Sequence, residues 1–311
     1  MKLLFKTLIL MLLAVAAHAQ AEFASVDALA RNTRKSNYPT PEALVKFLCK
    51  DLKNDREKAR VIFTWIATNI RYQELNTPDA DSQEAFGDKL ATQAYKRGKG
   101  VCMHYAYLYK KMAEAVGLEC AFVSGFSRKD LRASGGDHAW NAVKINGKWE
   151  LLDVTWGASY REKNGDFNQV FRPGYFCTAP RIFVLNHIPE DEKWQLMEPP
   201  LSKKQLEQLP VFSYGDLAHD IQDAEPFGGS PSKKPDGTMV LKIKIQNPPP
   251  VIRLENHDRE IKSTRTDEAG WVILQFKAQG LREVEVWGGE EISKKSKTVV
   301  QTKLMGVFPL R

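Results

Sequence analysis

Cys102 follows Gly100-Val101 and opens a stretch of helical periodicity. A cysteine at a helix start meets the free N–H groups and partial positive charge of the first turn. That setting favours the thiolate, which is the reactive form. The same N–H groups can hold an oxyanion as it develops on an attacked carbonyl. The alternative is a buried, inert packing cysteine, so a nucleophile needs a base beside it. Of the six histidines, His18 lies in the N-terminal leader, and His104 falls two positions after Cys102, on another face of the same helix. His219 and His257 lie in later, polar or β-rich stretches, and His187 sits near Pro189 with no acid partner on a strand. His138 remains, at the start of a β-like run behind a loop rich in Gly and Ser.

Two such runs, 138–145 and 148–156, are joined by Asn146-Gly147. Asn-Gly between two strands is the strongest short hairpin signal. A two-residue turn pairs Ile145 with Lys148 and, counted outward, sets His138 opposite Thr155. Asp153 then shares the face of His138 as a diagonal neighbour, with Cβ atoms about 7 Å apart. The chemistry follows: His138 takes the thiol proton, Asp153 orients the imidazole, and the thiolate attacks a carbonyl to give a thioester. The Cys102 N–H is one oxyanion donor, and Tyr72 and Gln93 are candidates for a second. Trp140 and Trp149 share the face of His138 and, with Trp156, are candidates to wall a substrate groove. Aromatic residues on strands also serve as core.

The elements that must hold these residues are readable from period and punctuation. Residues 24–72 read as helical, with Asp55 at an N-cap position and a stripe of Val61, Ile62, Trp65, Ile66 and Ile70. Residues 73–88 read as loop. A helix over 102–116 carries Tyr105, Leu108, Tyr109, Met112 and Val116, with Gly117 as its stop. Residues 119–127 read as strand and 128–137 as loop. Composition shifts near Pro199-Pro200, and from Met239 short alternating runs (Leu241, Ile243, Ile245; then 271–276, 281–287 and 299–307) argue for a small β-sandwich.

The first residues are a leader: Lys2 and Lys6, an apolar run, then Ala17-His18-Ala19. The run is too short to span a bilayer. The expected organisation is a signal peptide at 1–19, an enzyme domain at 20–200, a connector at 201–238 and a β-rich, Ig-like domain at 239–311. The expected location is the periplasm or the exterior. Without Lys2 and Lys6, 43 basic residues face 38 acidic ones, a mild and scattered excess that does not indicate nucleic acid. No cysteine pair has CxxC spacing and no HExxH occurs, so no metal or other cofactor is expected. If Cys102 stays free, Cys49, Cys120 and Cys177 can form at most one disulfide, and their pairing is open. No dense acidic loop points to calcium.

Four stretches resemble a known family: 61–66 with Asn69-Ile70-Arg71-Tyr72, Gly98-Lys99-Gly100-Val101-Cys102, Asp137-His138-Ala139-Trp140-Asn141, and Leu151-Leu152-Asp153-Val154-Thr155-Trp156-Gly157. They look like the transglutaminase-like superfamily, in particular its kyphoscoliosis peptidase group. Tyr175-Phe176-Cys177-Thr178 and His187-Ile188-Pro189 extend the likeness, which covers about residues 40–200. The resemblance implies an α+β, papain-like core with the nucleophile helix on an antiparallel sheet, and it carries the family's triad onto Cys102, His138 and Asp153. A β-rich C-terminal domain is in keeping with that group. Met103-His104 departs from the pattern, since small or acidic residues are common there in relatives. The leader sets the chain apart from the intracellular eukaryotic relatives, so their partners do not transfer. The expected activity is cleavage of amide bonds in a protein or peptide. The alternatives are acyl transfer to an amine, and a non-catalytic binding or scaffold role on the same fold.

Overall fold

A computed structural model of the chain describes residues 22–75, 82–128, 137–158, 160–163, 166–212, 221–227, 231–245, 248–294 and 297–310. The leader expected at 1–19 and most of the loop expected at 128–137 lie outside these residues. Two compact units form: residues up to Phe122 with Ala139–Cys177, and Val123–His138 with Thr178–Arg311.

The helical start of the first unit is three helices, α1 (Ala24–Asn32), α2 (Pro41–Cys49) and α3 (Asp55–Asn69). Asn54, not Asp55, caps α3, its side chain accepting from the Glu57 N–H at 2.8 Å. Asp55 is the first helical residue instead, an acidic side chain at the positive helix end. The middle of α3, residues 59–67, is buried all round, so neighbours cover every face. One polar group in this packing is a charge. Arg60, 5% exposed, pairs with Asp27 of α1 through two hydrogen bonds of 2.8 Å, and Thr64 Oγ1 donates to the same carboxylate at 2.6 Å. The guanidinium also lies over the rings of Phe23, Phe171 and Phe176 at 5.0–5.2 Å. Asp27→Ala strands this charge and is expected to cost about 3–5 kcal/mol. Urea denaturation of both proteins reads the loss as a lower midpoint.

After β1 (Arg71–Tyr72) the stretch expected as loop at 73–88 turns helical from Gln83, the start of α4 (Gln83–Arg97). Ser82 caps it through the Ala85 N–H, and Gly98 closes it at φ +67. The short strand β2 (Lys99–Gly100) pairs in parallel with β1, setting Tyr72 beside Gly100. Then comes α5 (Cys102–Glu114), pinned to its neighbours by two buried phenols: Tyr105 Oη donates to the Ile70 carbonyl at 2.6 Å and Tyr109 Oη to that of Ala59 at 3.2 Å.

The strands β3 (Cys120–Ser127) and β4 (Asp137–Ile145) each pass from one unit into the other. In the first unit β4 pairs with β5 (Lys148–Leu152) in the register expected from the turn, Ile145 with Lys148 through Asn141 with Leu152. Asn146 and Gly147 both have positive φ, 50° and 80°, as a type I′ turn demands. The strand expected to run to Trp156 stops at Leu152, where Asp153 caps a one-turn helix, α6 (Val154–Gly157). A hairpin of β6 (Tyr160–Lys163) and β7 (Asp166–Gln169) follows.

The second unit opens with the one-turn α7 (Pro180–Phe183) and β8 (His187–Pro189), which pairs with β3. The stretch expected as a connector carries α8 (Lys203–Leu206), β9 (Val211–Phe212), β10 (Ile221–Glu225) and β11 (Ser232–Lys233). Val184, Leu185, Leu206, Leu209, Phe212 and Ile221 join the core of the β-rich region. Buried Arg128 holds this stretch through the carbonyls of Leu206 and Leu209, at 3.1 and 3.2 Å. The compact unit therefore starts upstream of the polar composition that suggested a linker. The remaining strands are β12 (Thr238–Ile245), β13 (Val251–Asn256), β14 (Arg259–Ile261), β15 (Ser263–Glu268), β16 (Trp271–Lys277), β17 (Glu283–Lys294) and β18 (Lys297–Pro309). One sheet runs β10-β12-β16-β15, with β11 on β12, and the other β14-β13-β17-β18-β9. Leu241, Ile243, Val272 and Leu274 of the first sheet share a core with Leu254, Val284, Val286 and Phe308 of the second, which is the packing of a sandwich. No described helix is long and apolar enough to cross a membrane.

Candidate active site

Cys102 is the first residue of α5 and is partly exposed. Its N-cap, Val101, offers no side-chain acceptor. The His104 and Tyr105 N–H groups turn back to the Val101 carbonyl, at 2.9 and 3.2 Å. The N–H groups of Cys102 and Met103 precede the first intrahelical bonds, where a helix can hold an anion. A further polar link ties α5 to β4. Asn141, fully buried, donates from Nδ2 to the carbonyls of Ala106 and Ala121, both at 3.1 Å. Helix α5 is thereby tied to β4 within the first unit.

Asp153 is fully buried. Its Oδ1 accepts from the Trp156 N–H at 3.0 Å, and its own N–H donates to the Tyr175 carbonyl at 3.0 Å. Asp153 keeps extended backbone angles, but its N–H is bonded to Tyr175 and the chain turns into helix after it, so the β4–β5 ladder ends at Leu152. The expected pairing of His138 with Thr155 accordingly does not form, because Thr155 is helical. His138 is 8% exposed, and its ring lies 5.5 Å from that of His187, which stacks on Phe183 at 3.9 Å.

Tyr72 is 51% exposed. Partial burial, then the charges of Cys102, Glu74 and Asp153, push its phenol above the ordinary value. Tyr72 therefore lies within electrostatic reach of both Cys102 and Asp153. Gln93 Oε1 meets His104 Nε2 at 3.2 Å. The three tryptophans have separate surroundings. Trp140 is 1% exposed, Trp149 lies under the Lys144 ammonium at 5.5 Å near the turn, and Trp156 packs edge-on to Tyr175 at 5.5 Å. Cys49, Cys102, Cys120 and Cys177 are all free thiols. Burial raises the Cys49 and Cys177 thiols to about 12 and that of Cys120 further.

Residues 42–154 match the model of the transglutaminase-like superfamily. This domain is transglutaminase-like. The chain is 35% identical to the kyphoscoliosis peptidase of Homo sapiens over 175 residues, which are 53% of this chain and 26% of that protein. It is 30% identical to hillarin of Drosophila melanogaster over 221 residues, 62% of this chain and 26% of that one. The chain thus spans about a quarter of the length of the curated relatives it matches. A solved structure of a TGase shares 18% identity over 49% of this chain and 39% of its own, at a TM-score of 0.29.

Two residues of the transglutaminase-like domain escaped sequence reasoning. Asn141 was legible as an amide inside an otherwise apolar strand, Ala139 to Val143. The position of His104, two residues after Cys102, argues only against its being the base; its link to Gln93 joins two separate helices and leaves no local signal. In the second unit His257, Glu283 and Glu285 bring their ligand atoms within 4.8 Å of one another. His257 is exposed, and Glu285 already accepts from Trp287 Nε1 at 3.1 Å.

Proposed function

We propose that the protein is a thiol enzyme that cleaves amide bonds, with Cys102 as nucleophile, His138 as base and Asp153 as the carboxylate that orients the base. The observation that carries this reading is Cys102 at the first position of α5, with Tyr72 within electrostatic reach of both Cys102 and Asp153. The thiolate attacks the carbonyl carbon and the C–N bond breaks. The imidazolium returns its proton to the departing amine, and water then cleaves the thioester. The Cys102 N–H is the first oxyanion donor and the Tyr72 hydroxyl the second. The substrate is a protein or peptide, the same class of relative being named a peptidase. Export to the periplasm or exterior belongs to the same proposal and rests on the leader pattern at 1–19.

The chain from residue 20 onward, with its Cys102→Ala variant, is incubated with a mixed peptide library, with and without a primary amine, and products are read by mass spectrometry. Cleavage that requires Cys102 supports the proposal. Amine adducts in place of cleavage shift it to acyl transfer, and no Cys102-dependent product contradicts it. On a peptide found this way, Tyr72→Phe is expected to lower kcat by about 10²-fold with KM little changed, the loss typical of one oxyanion donor. Steady-state kinetics on the purified variant check this.

A further inference from the structure

His104 is an unusual residue to find at the third position of this helix. Its side chain is fully buried, and Nδ1 lies 3.4 Å from the Val101 N–H. A backbone N–H only donates, so Nδ1 must be the acceptor. The neutral ring then carries its proton on Nε2. That N–H points at Gln93 Oε1, 3.2 Å away on α4. The chain of donors also fixes the Gln93 carboxamide: its oxygen faces His104, so its NH₂ is turned the other way. Burial lowers the His104 pKa and keeps the ring neutral.

The backbone is shaped around this ring. A Cβ on Gly100 would fall 2.4 Å from His104 Cβ, so only glycine fits there. Gly100 is in turn clamped by β1, its carbonyl accepting from the Gln73 N–H at 3.0 Å. One imidazole therefore ties together the strand before Cys102, the first turn of the cysteine's helix, and the helix beside it. In a capping box a Glu or Gln at this position reaches back to the N-cap N–H. His104 does the same at Val101 and in addition donates to Gln93.

We propose that His104 is a positioning residue of the Cys102 site, which holds the Val101–Cys102 backbone and sets the direction of the Gln93 amide donors. It acts through Cys102 and Gln93 and touches no reacting atom. The proposal rests on Cys102 being the nucleophile.

The test compares kcat and KM of the chain from residue 20 onward, on a peptide from the library, for His104→Leu, His104→Gln, Gln93→Leu and the double variant His104→Leu/Gln93→Leu. His104→Leu keeps bulk and removes both bonds, and kcat is expected to fall by about tenfold or more with KM within about twofold. His104→Gln restores the reach to the Val101 N–H and recovers most of the loss. The double variant falls no more than about threefold below the lower single variant, because one bond is removed twice. The proposal is overturned by wild-type kcat in folded His104→Leu, by no recovery with Gln, or by multiplying effects in the double variant. If His104→Leu does not fold, Gln93→Leu alone decides: an unchanged kcat overturns the proposal and a drop of about tenfold supports it. Failure of the nucleophile reading is separate, since it shows as turnover that survives Cys102→Ala.

Discussion

Replacing Cys102 by alanine is expected to remove turnover of a peptide substrate, by on the order of 10⁴-fold or more, and to leave the fold intact. The size follows from the role. Without a nucleophile no thioester forms, and only binding and the oxyanion donors remain to accelerate attack by water. The fold is spared because Cys102 is partly exposed at the first turn of α5, and alanine is the best helix former. The polar anchors of α5, Tyr105, Tyr109 and the Asn141–Ala106 link, lie further along the helix. Progress curves at high enzyme concentration, with thermal melts of both proteins, check the two halves. A variant that keeps turnover ends the account, and one that merely unfolds does not support it.

The second large effect is expected for Asp153→Asn, a fall in kcat on the order of 10⁴-fold at nearly unchanged stability. Asp153 has one observed role, as a helix cap, and one proposed role, and this substitution separates them. As a helix cap it receives the Trp156 N–H at 3.0 Å, and asparagine caps about as well as aspartate. As the proposed partner of His138 it must accept the ring N–H and balance the imidazolium charge, which a neutral amide does not do. Asp153→Ala loses the cap as well, costing about 1 kcal/mol more in stability. Kinetics of the two variants beside their melting temperatures distinguish the roles. Equal, near-wild-type kcat in the asparagine variant contradicts an orienting carboxylate.

The legible parts of this fold were those with local physics. Asn146-Gly147 fixed the β4–β5 register because both residues tolerate positive φ, and the alternation of Leu241, Ile243 and Ile245 matched one buried face of β12. The helix start at Cys102 was visible from the glycines before it and the stripe after it. What stayed hidden was competitive or long-range. Asp153 chose to cap a helix, a local alternative that beat strand extension. The start of α4, residues 83–88, reads as loop because it is polar; the buried residues of that helix are Gly87, Leu90, Ala91, Ala94 and Tyr95. The stretch 201–238 looked like linker because Pro, Gly and Ser mask short strands whose apolar residues reach a distant core. The Arg60–Asp27 pair joins residues 33 positions apart, beyond any local pattern.

The central claim is that His138 activates Cys102, and it can be tested without knowing the substrate. The measurement is the rate at which iodoacetamide modifies Cys102 at pH 5.5, in wild type and in His138→Ala, read by peptide mass mapping. An ordinary thiol is about 0.1% thiolate at that pH. Burial holds Cys49 and Cys177 near 12 and Cys120 higher, so these three stay protonated and do not compete. A thiolate held by an imidazolium reacts there, less per ion because a stabilised thiolate is a weaker nucleophile, but with a net gain of about tenfold or more. The account predicts that wild type is modified faster than His138→Ala by at least that factor. Equal rates in the two proteins would contradict it.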